Sequence, residues 1–233
     1  MRFRAILFDA GETLVHPSPS FPELFTRVLA DEGHERTGGD VIEASKAVFH
    51  RFSEAARDGE LWTTSPERSA RFWKGVYERM LEVLDLQGAN GLRDRLYATF
   101  TNVSNYALFD DVEPMLAALA GPDIALGIVS NFEAWLEDLL GHLGVRDRFP
   151  VRAISGIEGV EKPDPVIFER ALARMGVPAD RSVYVGDNPE FDVDPARALG
   201  MTAVLIDRRG RFPDHEGLRI EDLRALGRVL EAA

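Results

Sequence analysis

A chain of 233 residues, 45% hydrophobic and 28% charged, has the balance of a soluble globular protein with room for one large domain or a core and an insert. Its formal net charge of -12 argues against a broad nucleic-acid-binding face, while a small anionic substrate remains compatible with a locally cationic site. There is no cysteine, so disulfide frameworks, thiolate nucleophiles and cysteine metal sites are excluded. No apolar run reaches transmembrane length, and the start Met-Arg-Phe-Arg-Ala-Ile-Leu-Phe-Asp turns acidic too soon for a signal peptide, so a cytoplasmic protein is expected.

The first apolar run, residues 3–9, reads as a buried parallel strand that ends on Asp9 and passes into a turn containing Gly11. In an open α/β sheet chemistry gathers at the carboxyl ends of the strands, so Asp9 stands where a nucleophile or metal ligand belongs. A turn aspartate after a core strand is the plainer alternative. From Leu14 to about Phe109 the pattern predicts no strand, only amphipathic helices at roughly 22–31, 40–57, 66–86 and 91–101. Residues 16–107 are therefore expected to form a helical cap inserted after the first strand. Above the carboxyl edge of the sheet, such a cap would exclude water and select substrate. Residues 1–15 and 108–233 are expected to form the α/β core.

Downstream, strands are predicted at 124–130, 152–155, 182–187 and 202–207. Helices are predicted at 113–119, 133–143, 192–199 and 221–231. Another opens at Asp164-Pro165, an N-cap followed by proline in the first turn, and stops at Gly176. Strands alternating with helices imply βαβ units and a Rossmann-like parallel sheet.

Four separated pieces fall at strand ends or just before helices on one edge of that sheet. Asp9 ends the first strand. Ser130-Asn131 ends the second. Lys162 lies in Val160-Glu161-Lys162-Pro163-Asp164-Pro165. Asp187, in Gly186-Asp187-Asn188, is followed five residues later by Asp192. Together they offer a carboxylate nucleophile, a hydroxyl and amide pair, a fixed cation and further carboxylates, which is what phosphoryl transfer through an aspartyl intermediate requires. Only Lys46, Lys74 and Lys162 are lysines among the 27 cations, a modest hint that lysine is kept where a compact charge matters. Taken singly, each piece also has a structural reading: Ser130 as a strand-end cap, Lys162 as a loop lysine, Asp192 as an N-cap.

In their order these motifs resemble the haloacid dehalogenase-like (HAD) superfamily, in its branch with a helical cap, over nearly the whole chain. Val-Ser-Asn-Phe, Glu-Lys-Pro-Asp-Pro-x-Ile-Phe and Val-Gly-Asp-Asn are most similar to phosphatase-like members. The resemblance implies a Mg²⁺-dependent hydrolase acting on a small phosphorylated substrate. It implies that Asp9 attacks phosphorus, that Ser130 and Asn131 hold phosphoryl oxygens, and that Lys162 neutralises charge. It also implies that Asp9, Asp187 and the carbonyl of Gly11 bind the metal, with Asp192 as a further ligand or a supporting partner. No nucleic-acid or membrane partner is implied.

The chain departs from the family at Gly11, where phosphatases usually carry a second aspartate that protonates the leaving alcohol. Loss of a positioned acid/base costs roughly 10²–10⁴-fold in rate. Glu12 and His16 are nearby candidates to replace it. A 2-haloacid dehalogenase needs no such acid and suits Gly11, but the retained Asp187 conflicts with its metal-free site. A phosphonoacetaldehyde hydrolase would need a cap lysine, Lys46 or Lys74, and a low-activity phospho-ligand-binding protein is a non-enzymatic alternative. Trp62, Trp73, Arg51, Arg57 and Arg71 lie in the cap as possible substrate contacts, although helix packing accounts for Trp73 better.

Overall fold

Strand β1 (Ala5–Phe8) is apolar at every position and buried on both faces, the signature of a central parallel strand. In the computed structural model, which describes residues 2–48, 54, 58–89, 91–119 and 124–232, β1 sits in the middle of a six-stranded, wholly parallel sheet. Two short strands, β2 (Val15–Pro17) and β3 (Tyr106–Leu108), form a separate pair. On one side of β1 the sheet continues through β4 (Ala125–Ser130) to β5 (Val151–Ile154). On the other side it continues through β6 (Ser182–Gly186) and β7 (Thr202–Ile206) to β8 (Leu218–Ile220). The α/β, Rossmann-like architecture is the expected one.

The register decides what meets at the sheet edge. Phe8 is paired with Ile128 on one side and Val185 on the other. Asp9 therefore leaves the sheet within one residue of the level of Ser130 and Asp187. Strand order runs outward from β1 in both directions, and ligands of open α/β sheets bind at the carboxyl ends of such strands. One face of the sheet is covered by the helix Pro165–Met175, which buries Ile167, Phe168, Ala171 and Leu172 against Leu7, Val129 and Tyr184. Burial of the three larger of these helix side chains, Ile167, Phe168 and Leu172, contributes roughly 1.5–3 kcal/mol each. Asp164 caps this helix by accepting a hydrogen bond from the Val166 N–H, and Gly176 ends it in the left-handed region at φ 64°.

The chain divides into two compact units, Met1–Val15 with Leu108–Ala233, and His16–Ala107. The second unit is helical: Phe21–Asp31, Gly38–Val48, Pro66–Val83 and Leu92–Phe100. Ser20 and Ser65 cap the first and third of these, each just ahead of a proline-containing first turn. Its interior is a run of rings. Phe21 stacks on Phe100 at 4.8 Å, Phe100 on Tyr77 at 5.7 Å, and Trp62 on Phe72 at 5.3 Å between centroids.

Several expectations need correction. β2 and β3 fall within the stretch expected to hold no strand; at three residues each they are too short for a period to register. β8 is a sixth core strand of the same length that the pattern does not reveal. The helix expected at 192–199 is a π turn at Pro189–Val193 followed by the short helix Asp194–Ala198. The last helix begins at Leu226, after a 3₁₀ turn at Leu223–Ala225. Arg51, Arg57 and the end of the helix expected at 40–57 lie outside the described residues.

Candidate active site

Lys162 organises the carboxyl edge of the sheet. Its Nζ donates to Asp9 Oδ1 at 2.7 Å, to Asp192 Oδ1 at 2.6 Å and to the Tyr184 hydroxyl at 3.1 Å. An ammonium has three N–H donors, and all three are used. The side chain is only 3% exposed. A cation so deeply buried is tolerated only when paired. Burial pulls its pKa down, but the carboxylates of Asp192 and Asp9 outweigh burial and hold it above the ordinary lysine value.

Asn131 fixes the backbone that carries this lysine. Its Oδ1 accepts from the Lys162 N–H at 2.6 Å, and its Nδ2 donates to the Lys162 carbonyl at 2.8 Å. The amide side chain is thus spent on positioning Lys162. The preceding loop is held in turn by Ser155, whose Oγ accepts from the Phe132 N–H at 2.9 Å.

Asp9 follows β1 directly, and its N–H donates to the Val185 carbonyl at 2.9 Å. The turn beyond it closes on Ala10, whose carbonyl accepts from both Leu14 and Val15. Burial raises the Asp9 pKa and the charge of Asp192 adds to the rise, while Lys162 and a hydrogen bond from the Ser130 side chain oppose it. Ser130 is buried at the end of β4.

Asp192 is placed by the π turn that follows β6. Its Oδ2 accepts from the Asn188 N–H at 3.0 Å. Gly186 makes this approach possible, because a Cβ there would overlap the Asp192 carboxyl group. Asp187 follows Gly186, and burial, with the charges of Asp192 and Asp9, pushes its pKa up to about 7 despite a counteracting Arg211. Asp9, Asp187 and Asp192 each offer an oxygen within 4.8 Å of the others. An oxygen-only donor set with excess negative charge in a buried place fits a hard divalent cation such as Mg²⁺. Lys162 and Arg211 are cations bonded to these carboxylates, one to Asp9 and Asp192 and the other to Asp187.

The structure therefore brings Asp9, Ser130, Asn131, Lys162, Asp187 and Asp192 together. Gly11 sits in the turn two residues beyond Asp9, bridged to Val15. Glu12 has φ 55° and pairs with Arg209 at 2.7 Å. His16 Nδ1 lies 2.8 Å from the Pro17 carbonyl. In the helical unit, Lys46 pairs with Glu43 and Lys74 with Asp94, while Trp62 is buried, Trp73 stacks on Tyr77 and Arg71 is exposed.

Two members of the site are not evident from the motifs. Tyr184 lies mid-strand in Val183-Tyr184-Val185, and its hydroxyl stands 2.8 Å from the Val129 carbonyl and 3.0 Å from Asp192 Oδ1. A hydroxyl in the middle of a fully buried strand is the available signal, since such a group needs partners. Burial and the nearby carboxylates keep it protonated, well above the ordinary tyrosine pKa. Arg211 pairs with Asp187 at 2.7 Å across 24 residues, and nothing in its local sequence marks it.

Comparison with known proteins places this geometry in context. The family model described as haloacid dehalogenase-like hydrolase matches residues 3–200. A phosphoserine phosphatase of Thermus thermophilus is 32% identical, covering 95% of this chain and 96% of its own. The magnesium-bound HAD-hydrolase YfnB of Bacillus subtilis has a similar structure, with a TM-score of 0.77 at 18% identity over 99% of both chains. A 2-haloacid dehalogenase of Pseudomonas syringae pv. tomato is similar in fold, with a TM-score of 0.62 at 24% identity over 99% of both chains. Among the described residues, no helix is long and apolar enough to cross a membrane.

Proposed function

The chain belongs to the haloacid dehalogenase-like hydrolases, and from that premise we propose that it is a Mg²⁺-dependent phosphatase acting on a small phosphate ester. The observation that carries this reading is the buried carboxylate cluster around Lys162, with Asp9 at its edge.

Asp9 is the nucleophile. Its carboxylate oxygen attacks phosphorus, the bond to the alcohol oxygen breaks, and an aspartyl-phosphate forms; water then cleaves the acyl phosphate and regenerates Asp9. Lys162 stands 2.7 Å from Asp9 and offsets charge as it builds on the phosphoryl oxygens. Ser130, whose side chain hydrogen-bonds the Asp9 carboxylate, orients that group and contacts a phosphoryl oxygen. Asn131 acts through Lys162 by fixing its backbone. Mg²⁺, held by Asp9, Asp187 and the Gly11 carbonyl, would neutralise the phosphate and orient it. Asp192 has both oxygens engaged, one by Lys162 and Tyr184 and the other by Asn188, so it supports the site from behind. Phosphatases among the relatives favour a small phosphorylated metabolite as substrate.

The test is phosphate release from p-nitrophenyl phosphate and a panel of esters that includes phosphoserine, with Mg²⁺ and with chelator. Release is expected to need both the metal and Asp9, and Asp9→Asn should lose turnover while keeping the fold. Unchanged Mg²⁺-dependent hydrolysis by that variant would sink the mechanism. Gly11 favours a second reading, displacement of halide from a 2-haloacid, because that reaction needs no acid at this position. Halide release from 2-chloropropionate without phosphate release would select it.

A further inference from the structure

Asp187 already has a cationic partner within this chain. Arg211 Nη2 lies 2.7 Å from Asp187 Oδ2. The arginine is delivered there by a turn with its own scaffold. Asp207, fully buried after β7, accepts from the Arg211 N–H at 2.8 Å with Oδ1 and from the Phe212 N–H at 2.9 Å with Oδ2. Arg219, on β8, approaches Asp207 Oδ2 at 3.2 Å, and the Asp207 N–H donates to the Ile220 carbonyl at 2.7 Å. The backbone of Arg211 is thus tied to the sheet, and its guanidinium reaches back over the edge to the cluster. Its side chain is 36% exposed and that of Asp187 is 17% exposed, so the pair can open toward solvent without repacking the core.

A carboxylate oxygen bonded to a guanidinium is a poorer ligand for a divalent cation, because the two positive charges repel and the lone pair is shared. We propose that Arg211 is an internal competitor for the divalent cation at Asp187: its guanidinium and the metal would draw on the same carboxylate, and the Asp207-scaffolded turn sets the metal affinity of the site. This rests on the metal-dependent reading above. It assigns to a loop of this chain a task that the site residues themselves do not perform.

The test is direct metal binding by the purified full-length chain, free of substrate. Mn²⁺ binding is followed by electron paramagnetic resonance and Mg²⁺ binding by calorimetry, with thermal denaturation alongside. Arg211→Gln is expected to bind Mn²⁺ and Mg²⁺ about fivefold more tightly than wild type, the scale of one partly exposed charge pair. Its melting temperature should gain more from added metal than that of wild type. Asp207→Asn, which loosens the turn and leaves the carboxylate cluster intact, should shift affinity in the same direction by less. A dissociation constant for Arg211→Gln that is unchanged within about twofold, or weaker, overturns the proposal, and a purely structural Arg211 would give that result with a lowered melting temperature. Asp187→Asn separates the two levels of inference. If wild type binds metal and Asp187→Asn does not, while Arg211→Gln matches wild type, only the competitor role falls. If neither wild type nor Arg211→Gln binds metal, the metal-dependent reading falls with it.

Discussion

At position 11 the backbone offers what the side chain lacks. Gly11 has no Cβ neighbour within 4 Å, and its φ lies outside the left-handed region, so a larger residue fits without strain. Its neighbour Glu12 is committed to Arg209 and held at φ 55°. An aspartate at position 11 would stand two residues past Asp9, where, in the proposed phosphatase reaction, it would deliver a proton to the leaving alcohol. Gly11→Asp is therefore expected to raise kcat for poor leaving groups such as alkyl phosphates by roughly tenfold or more, and to matter less for p-nitrophenyl phosphate, whose leaving group needs little protonation. Steady-state rates on the two substrate classes check this. A flat or lowered rate on both would mean that another group already supplies the proton or that the site is not a phosphatase.

At the scale of elements, the core is tied by a buried ion pair between segments distant in sequence. Arg208, just after β7, grips Asp111 in two places at 2.7 and 2.9 Å and donates to the Thr13 carbonyl at 2.7 Å. The guanidinium lies 3.8 Å from the centroid of the Phe109 ring, and Asp111 also accepts from the Leu223 N–H. Side-chain exposures of 14% and 2% mean that removing one partner strands the other. Arg208→Ala is expected to cost roughly 3–5 kcal/mol in urea unfolding, and a double variant with Asp111→Asn should cost less than the sum of the two single changes. Additive costs would show that the two charges act independently. Neither this clamp nor Arg211 can be read from sequence, because each depends on where a loop after a strand turns back. What can be read are features written locally. The run Ala5–Phe8 announces a buried strand, Asp164-Pro165 announces a helix start, and Asp9, Ser130 and Asp187 stand where strands end. The three-residue strands β2, β3 and β8 escape because a period of two needs more residues to show. The motif places Lys162 before a helix, but its three acceptors come from the end of β1, from β6 and from the π turn, and only the parallel register brings those together.

Over the whole molecule, stability depends on carboxylates whose folded environment differs from that of the unfolded chain. Asp40, Glu67, Asp94, Glu158 and Asp207 all lie below their ordinary pKa values in the folded protein. For such groups the unfolded chain takes up protons first on acidification. The stabilisation they give is complete above the unfolded pKa and is lost as pH falls through the folded one. Glu158 is the most informative to measure. Its side chain is 7% exposed, Arg174 bonds both of its oxygens, and Arg170 adds a third contact at 3.1 Å. Hydrogen bonds from Arg174 lower its pKa most, and burial opposes them. The pair joins the short helix Ser155–Glu158, next to the loop that carries Asn131, to the helix Pro165–Met175 that follows Lys162. Glu158→Gln keeps the shape and removes the charge. It is expected to destabilise the protein by about 1 kcal/mol at pH 7, and that deficit should shrink as pH falls below the ordinary glutamate range and through the lowered pKa of Glu158 in the folded protein. Urea unfolding of both proteins from pH 7 to pH 3 measures the difference directly. A deficit that stays constant over this range would assign the contribution to packing and hydrogen-bond shape, since neither depends on the ionisation of Glu158.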